Sequence, residues 1–337
     1  MNRINWIDSM KAFSIIAVVL NHTHIMPEIK TVAYLLCLPA FFFTAGMFTN
    51  TQLSPKEFFH KKTTRLLIPF FVWGMISWLM WLLIGRNYGT DAGTETACWQ
   101  PLTGLLWGKA ELLSMNVPLW FLCCMISLEW IYYGIGQFRQ TWLRWSVIVL
   151  LCILGCLCSY WRHTCIWEIS AAMIVLPLYA LGAEYREWIK EHVHSCPTYL
   201  WLLLLAGSLV GIWVGVTFNA GIELHTTYIG NPLLYYLSVS AVVVFWLSVS
   251  VLIEKYCRHT QLLHILGQNT LFILCTHILT FGAIKGAALM CHASLDFFET
   301  TAGCLCLWVG SFLILLPAAY VVNRYCPILV GKKRTNP

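Results

Sequence analysis

Of 337 residues, 59% are hydrophobic and 15% aromatic, while only 11% are charged; soluble domains carry near a quarter. That balance excludes an ordinary soluble protein, and several runs of about 20 apolar residues point to a polytopic helical membrane protein. A formal net charge of +6 on such a chain reflects membrane topology, so no nucleic-acid partner is expected.

The first apolar segment, Ile7 to Met26, reads IDSMKAFSIIAVVLNHTHIM. It is too long and ends too polar for a cleaved signal peptide, and is read as a retained span. Length and Pro, Gly and charged breaks place spans at about 9–26, 33–50, 66–84, 117–136, 145–160, 168–184, 198–216, 232–253, 265–288 and 302–322. The expected fold is therefore an all-α membrane bundle of about ten transmembrane helices, one integral-membrane domain over 1–337. No internal repeat is evident, which disfavours transporters built from inverted repeats. Nor is there a soluble domain large enough for its own core, so any chemistry happens in or at the membrane.

With ten spans both termini share a side. Sixteen of the 21 Lys and Arg then fall on that side, including Lys11, Lys56, Lys61, Lys62, Arg65, Arg139, Arg144 and Arg186. Lys30, Arg86, Lys109 and Arg162 fall on the other. Basic residues concentrate in the cytoplasm, so both termini are expected there. The longest loop, about 85–116 with Asp91 and Glu95, and the polar loop 217–231 are then expected outside. Most of the 15 cysteines lie in apolar runs, where Cys behaves as a small hydrophobe. Only Cys98, Cys165 and Cys291, in or beside outer loops, are in a compartment that permits a disulfide. No zinc-like Cys/His spacing appears, and no metal is expected.

Within this frame a few residues stand out. His22 follows Lys11 by eleven positions, about 16 Å along a helix. Lys11 then marks the cytoplasmic rim, and His22 lies about 20 Å into the membrane. An ionisable group at that depth is costly and suggests function, and a histidine suits proton transfer. The bland alternative is a core histidine bonded to a neighbouring helix. His277 in NTLFILCTHIL comes out about 18 Å deep, and the two can meet only if spans one and nine are adjacent. Lys61, Lys62 and Arg65 crowd the entry to span three. Lys11, Lys62 and Arg65 would suit an anionic ligand from the cytosol, such as a phosphate-bearing acyl donor, whereas Lys61 reads as ordinary topogenic charge. Glu129 reads as the one clear carboxylate deep in a span, where a paired or protonated group is the usual state. Trp120 and Phe121 read as interfacial belt aromatics, and Lys285 as snorkelling to the outer surface.

These stretches resemble the membrane-bound acyltransferase-3 superfamily, especially its bacterial sugar O-acetyltransferase branch. The likeness runs through IDSMKAFSIIAVVLNH, LPAFFFTAGMF, KKTTRLLIPFFVW, VPLWFL, LPLYALGAEYR and GQNTLFILCTHIL, in the family's order and over most of the chain. The family's basic residue, ten intervening residues and histidine appear as Lys11 and His22, with Lys where Arg is usual. Its Arg-x-x-Arg appears as Lys62 to Arg65, again with Lys first. Both changes keep the charge and lose the planar guanidinium fork.

The resemblance implies a bacterial inner-membrane, multi-pass O-acyltransferase. It implies transfer of an acyl group, most often acetyl, from cytosolic acyl-CoA (acetyl-CoA) to a hydroxyl of a cell-envelope or exported glycan or a lipid-linked sugar. His22 matches the proposed catalytic histidine, acting as general base or through a transient acyl-histidine. His277 matches a recurrent late-span histidine, while Lys11, Lys62 and Arg65 are expected to hold the donor. The competing class, from intramembrane histidines alone, is a transporter or flippase of a sugar, lipid or proton-coupled substrate.

Overall fold

The computed structural model describes residues 4–88, 96–219 and 221–332. Helix α1 (Asn5–Asn21) stops where His22-Thr23-His24 and then Pro27 interrupt it, because the residue before a proline is pushed to extended backbone. The span expected to run to residue 26 thus ends at Asn21, and His22 caps it instead of sitting inside it. α2 (Pro27–Cys37) and α3 (Pro39–Met47) form one span broken at Leu38, since Pro39 has no N–H to continue the ladder.

α4 (Pro55–Lys62) begins on a capping box in which Ser54 and Glu57 satisfy each other's backbone. It continues through a π-helical turn, Thr63–Leu67, into α5 (Ile68–Met80), and through a second, Trp81–Gly85, into α6 (Arg86–Tyr88). The helix that carries the apolar span expected from residue 66 starts earlier, at Pro55, with Lys61, Lys62 and Arg65 on its polar first part. Long basic side chains reach out from a helix end, so charge there need not terminate it. The chain goes on through α7 (Gln100–Trp107), α8 (Trp120–Ile135), α9 (Thr141–Tyr160), α10 (Ile169–Glu184) and α11 (Arg186–His192). It closes with α12 (Thr198–Phe218), α13 (Pro232–Tyr256), α14 (Gln261–Gln268), α15 (Thr270–Met290) and α16 (Thr301–Tyr325). The ninth expected span, 265–288, is thus two helices separated at Asn269.

The architecture is an all-α polytopic bundle. Nine stretches of the described residues are long and apolar enough to cross a membrane. α1, with 17 residues, rises only about 25 Å, less than the ~30 Å hydrocarbon core. It lies in the centre, with Trp6, Ile7, Met10, Ile15 and Val19 buried. Outer helices turn apolar side chains outward, as with Ile153, Leu203 and Leu313, which is the polarity lipid requires.

Two close approaches set the frame. A Cβ on Gly46 or Gly182 would run into the carbonyl of Tyr179 or Phe43, so small residues let α3 and α10 touch backbone to backbone. Gly267 of α14 meets the Asp8 carbonyl of α1 in the same way. Trp308 Nε1 then donates to the Ile16 carbonyl at 3.0 Å, tying α16 to α1. Phe13 stacks on Trp246 of α13, with centroids 5.0 Å apart.

Asp91 and Glu95 of the expected outer loop lie outside the described residues. Cys98, Cys165 and Cys291 are all free thiols.

Candidate functional site

α1 and α15 are adjacent, and this adjacency brings the two deep histidines together. The rings of His22 and His277 lie edge to face, with centroids 4.9 Å apart at 68°. His22 Nδ1 bonds the Val18 carbonyl at 2.8 Å, and His277 Nδ1 bonds the Ile273 carbonyl at 2.9 Å. A carbonyl can only accept, so each Nδ1 donates and, in the neutral imidazole, each Nε2 keeps its lone pair. Helix geometry produces both tautomers, because position i−4 lies directly beneath each ring. His277 is 0% exposed, and its Nε2 has no hydrogen-bond partner among the described residues. Neighbouring hydroxyls are self-satisfied instead: Thr276 donates to the Phe272 carbonyl and Thr280 to that of Thr276.

His22 is half-buried and lines a cavity of about 640 Å³, within the range of small-molecule sites. The end of α1, helix α2, the start of α8 and the loop after α12 form its walls. Trp120, expected in an interfacial belt, is 6% exposed and lines this cavity. The turn Val117–Leu119 before α8 directs that ring inward, an effect hydropathy does not encode. Tyr34 and His225 share a hydrogen bond of 3.1 Å on the same wall. His225 escaped the sequence reading, because nothing in TFNAGIELHTTYIGN says which helix the loop folds against.

The opposite end gathers the basic residues. Lys11 pairs with Asp8 at 2.8 Å, one turn below it. Lys62 is buried against Glu129 of α8 in an ion pair, with its ammonium 5.2 Å from the centre of the Phe58 ring. Glu129 is therefore paired, one of the two states usual for a carboxylate there, and the Lys62 charge faces it. Arg65 lies exposed on the π-helical turn, where its backbone backs onto Gly331, a residue at φ +68 that a Cβ would drive into it. It has no carboxylate partner among the described residues. Of the three expected donor-binding groups, Arg65 alone keeps an uncommitted charge. Lys285, at the cavity end, meets Glu299 at 3.7 Å, and His24 meets the same carboxylate at 3.4 Å.

A second buried carboxylate was missed. Glu168, at the start of α10, is 0% exposed and accepts from the Ala110 N–H at 2.8 Å. Trp167 and Glu168 both adopt left-handed backbone, at φ +52 and +54, an arrangement costing roughly 1–3 kcal/mol each. Asn116 is also fully buried: its Nδ2 donates to the Cys275 carbonyl at 2.8 Å and to Ser77 at 2.9 Å. It thereby locks the loop before α8 onto α15, two residues from His277. Polar residues in a loop carried no signal of either burial.

No curated protein and no solved structure matches the chain. The family described as an acyltransferase domain matches residues 4–324. That match runs from before α1 into α16 and takes in the histidine pair, the cavity and the basic end, and an acyltransferase displaces the transporter reading. The chain belongs to the acyltransferase-3 family and is a multi-pass membrane acyltransferase.

Proposed function

We propose that the protein moves an acyl group, acetyl first among them, from cytosolic acyl-CoA to a hydroxyl of a cell-envelope or exported glycan. The observation that carries this reading is the pair of imidazoles, each with its Nε2 lone pair available, one of them at the wall of an open cavity. The acceptor hydroxyl gives its proton to His22 Nε2 as its oxygen bonds the thioester carbonyl carbon. The C–S bond then breaks, and the proton passes from His22 to the departing thiolate, releasing CoA with a free thiol. His277 supplies a second lone pair beside the ring that becomes charged.

On the donor side, Arg65 and Lys11 are the groups for the phosphates of CoA, and a guanidinium is the better phosphate partner. Lys62 contributes by holding α4 to α8 through Glu129. The basic bias of the sequence supports a cytoplasmic basic end, and hence an outward-facing cavity in a bacterial inner membrane. Purified protein in lipid nanodiscs, given radiolabelled acetyl-CoA, should turn it over in a His22-dependent way. Full activity in His22→Ala would overturn the mechanism.

A further inference from the structure

The cavity has a wall that acyl transfer does not by itself require. It is the loop after α12, tied down at four points. Glu223 and Tyr228 exchange both backbone hydrogen bonds, at 2.8 and 3.0 Å. The Asn219 side chain donates to the Ile229 carbonyl at 3.0 Å and accepts from the Asn231 N–H at 2.8 Å. Ser159 Oγ accepts from the Ile229 N–H at 3.0 Å, and the Arg162 guanidinium lies 4.1 Å over the Tyr228 ring. Such a loop holds its side chains in place before any ligand arrives.

What it presents is His225, bonded to Tyr34 and with its ring centre 6.3 Å from that of Trp120. Burial, reinforced by the Lys30 charge, holds His225 below the usual imidazole range against the pull of Glu223. The ring is neutral near pH 7 and can both donate and accept. Around it, Trp120, Phe121 and Tyr34 supply flat apolar surface, while Glu223 and Lys30 bring one charge of each sign. A pyranose has the matching chemistry: an apolar C–H face and an edge of hydroxyls that both donate and accept. With Glu223 and Lys30 offsetting each other, the wall offers no net charge to match an acidic sugar's carboxylate.

We propose that this wall is an acceptor subsite for an uncharged pyranose, with His225, braced by Tyr34, bonding a ring hydroxyl near the one presented to His22. The subsite rests on the acyl-transfer reading and makes its acceptor specific.

Three acceptors with one tail test it: octyl β-D-glucopyranoside, octyl β-D-glucuronide and 1-octanol, each with radiolabelled acetyl-CoA and the full-length protein in nanodiscs. The wild type should prefer the glucoside to either alternative by about tenfold or more, as a site built to bond a hydroxyl does. His225→Ala should shrink that preference about fivefold, and Tyr34→Phe by a smaller factor, both through the KM for the glucoside more than kcat. A ratio of rates cancels donor-side effects and any inactive fraction, so partial misfolding of one variant cannot mimic the result. Equal use of all three acceptors, or an unchanged ratio in both variants, overturns the subsite while leaving acyl transfer intact. His22-dependent hydrolysis of acetyl-CoA without transfer to the glucoside does the same. Absence of any His22-dependent turnover overturns both readings together.

Discussion

Among the described residues, the Lys62–Glu129 and His22–His277 pairs sit inside this bundle in different ways. Lys62 and Glu129 form an ion pair of opposite charges, with the lysine packed on Phe58. His22 and His277 do not: each spends its Nδ1 proton on its own helix and leaves Nε2 without a partner among the described residues or facing a cavity. Burial is costly in both cases, so burial alone does not distinguish them. What distinguishes them is whether the partner is complementary: Lys62 and Glu129 offset each other's charge, whereas two Nε2 lone pairs offer each other no donor. The charge-paired couple joins α4 to α8; under the proposed function, the imidazole pair is the one offered to a substrate.

The contrast can be broken by experiment. The largest effect should come from His22→Ala, which should lower acetyl transfer by about 10³-fold while the unfolding temperature in detergent stays near wild type. Lys62→Ala or Glu129→Ala should do the reverse. Stranding one buried charge should destabilise by about 3–5 kcal/mol, seen as a large drop in thermal midpoint, and Lys62→Met with Glu129→Leu should recover much of it. His277→Phe should reduce kcat by about 100-fold with a smaller stability change than either member of the ion pair. A His277 variant as unstable as Lys62→Ala would erase the distinction.

Smaller effects belong to the basic end. Arg65→Glu should raise the KM for acetyl-CoA about tenfold, roughly one phosphate contact, and an unchanged KM would remove Arg65 from the donor site. Lys11→Arg should sit near wild type, since it keeps the charge and adds a fork, whereas Lys11→Ala should lose several-fold in the same assay.

Much of the molecule was legible before any coordinates. The all-α membrane class follows from hydropathy, as do nine of the ten expected apolar stretches, because lipid imposes a long apolar run on each crossing helix. The ends of those runs were less legible. The helix of span three begins 11 residues before the apolar stretch itself (Pro55 against residue 66), as snorkelling lysines can extend a helix past its apolar part. Glu168, Asn116 and His225 gave no signal, since each is buried by a loop folding back, and loops have no periodicity to read.

Residue order alone determined the class of protein, the similar positions of His22 and His277 along their spans, and the clustering of basic residues, for all of these depend only on distance along one chain. Tertiary structure decided which polar groups became partners. It committed Lys62 to Glu129, left Arg65 exposed, turned Trp120 into a cavity wall and set His225 on that cavity beside Tyr34. The reason is that hydrogen bonds and ion pairs act over a few ångströms, and only packing brings residues 22 and 277, or 34 and 225, within that reach.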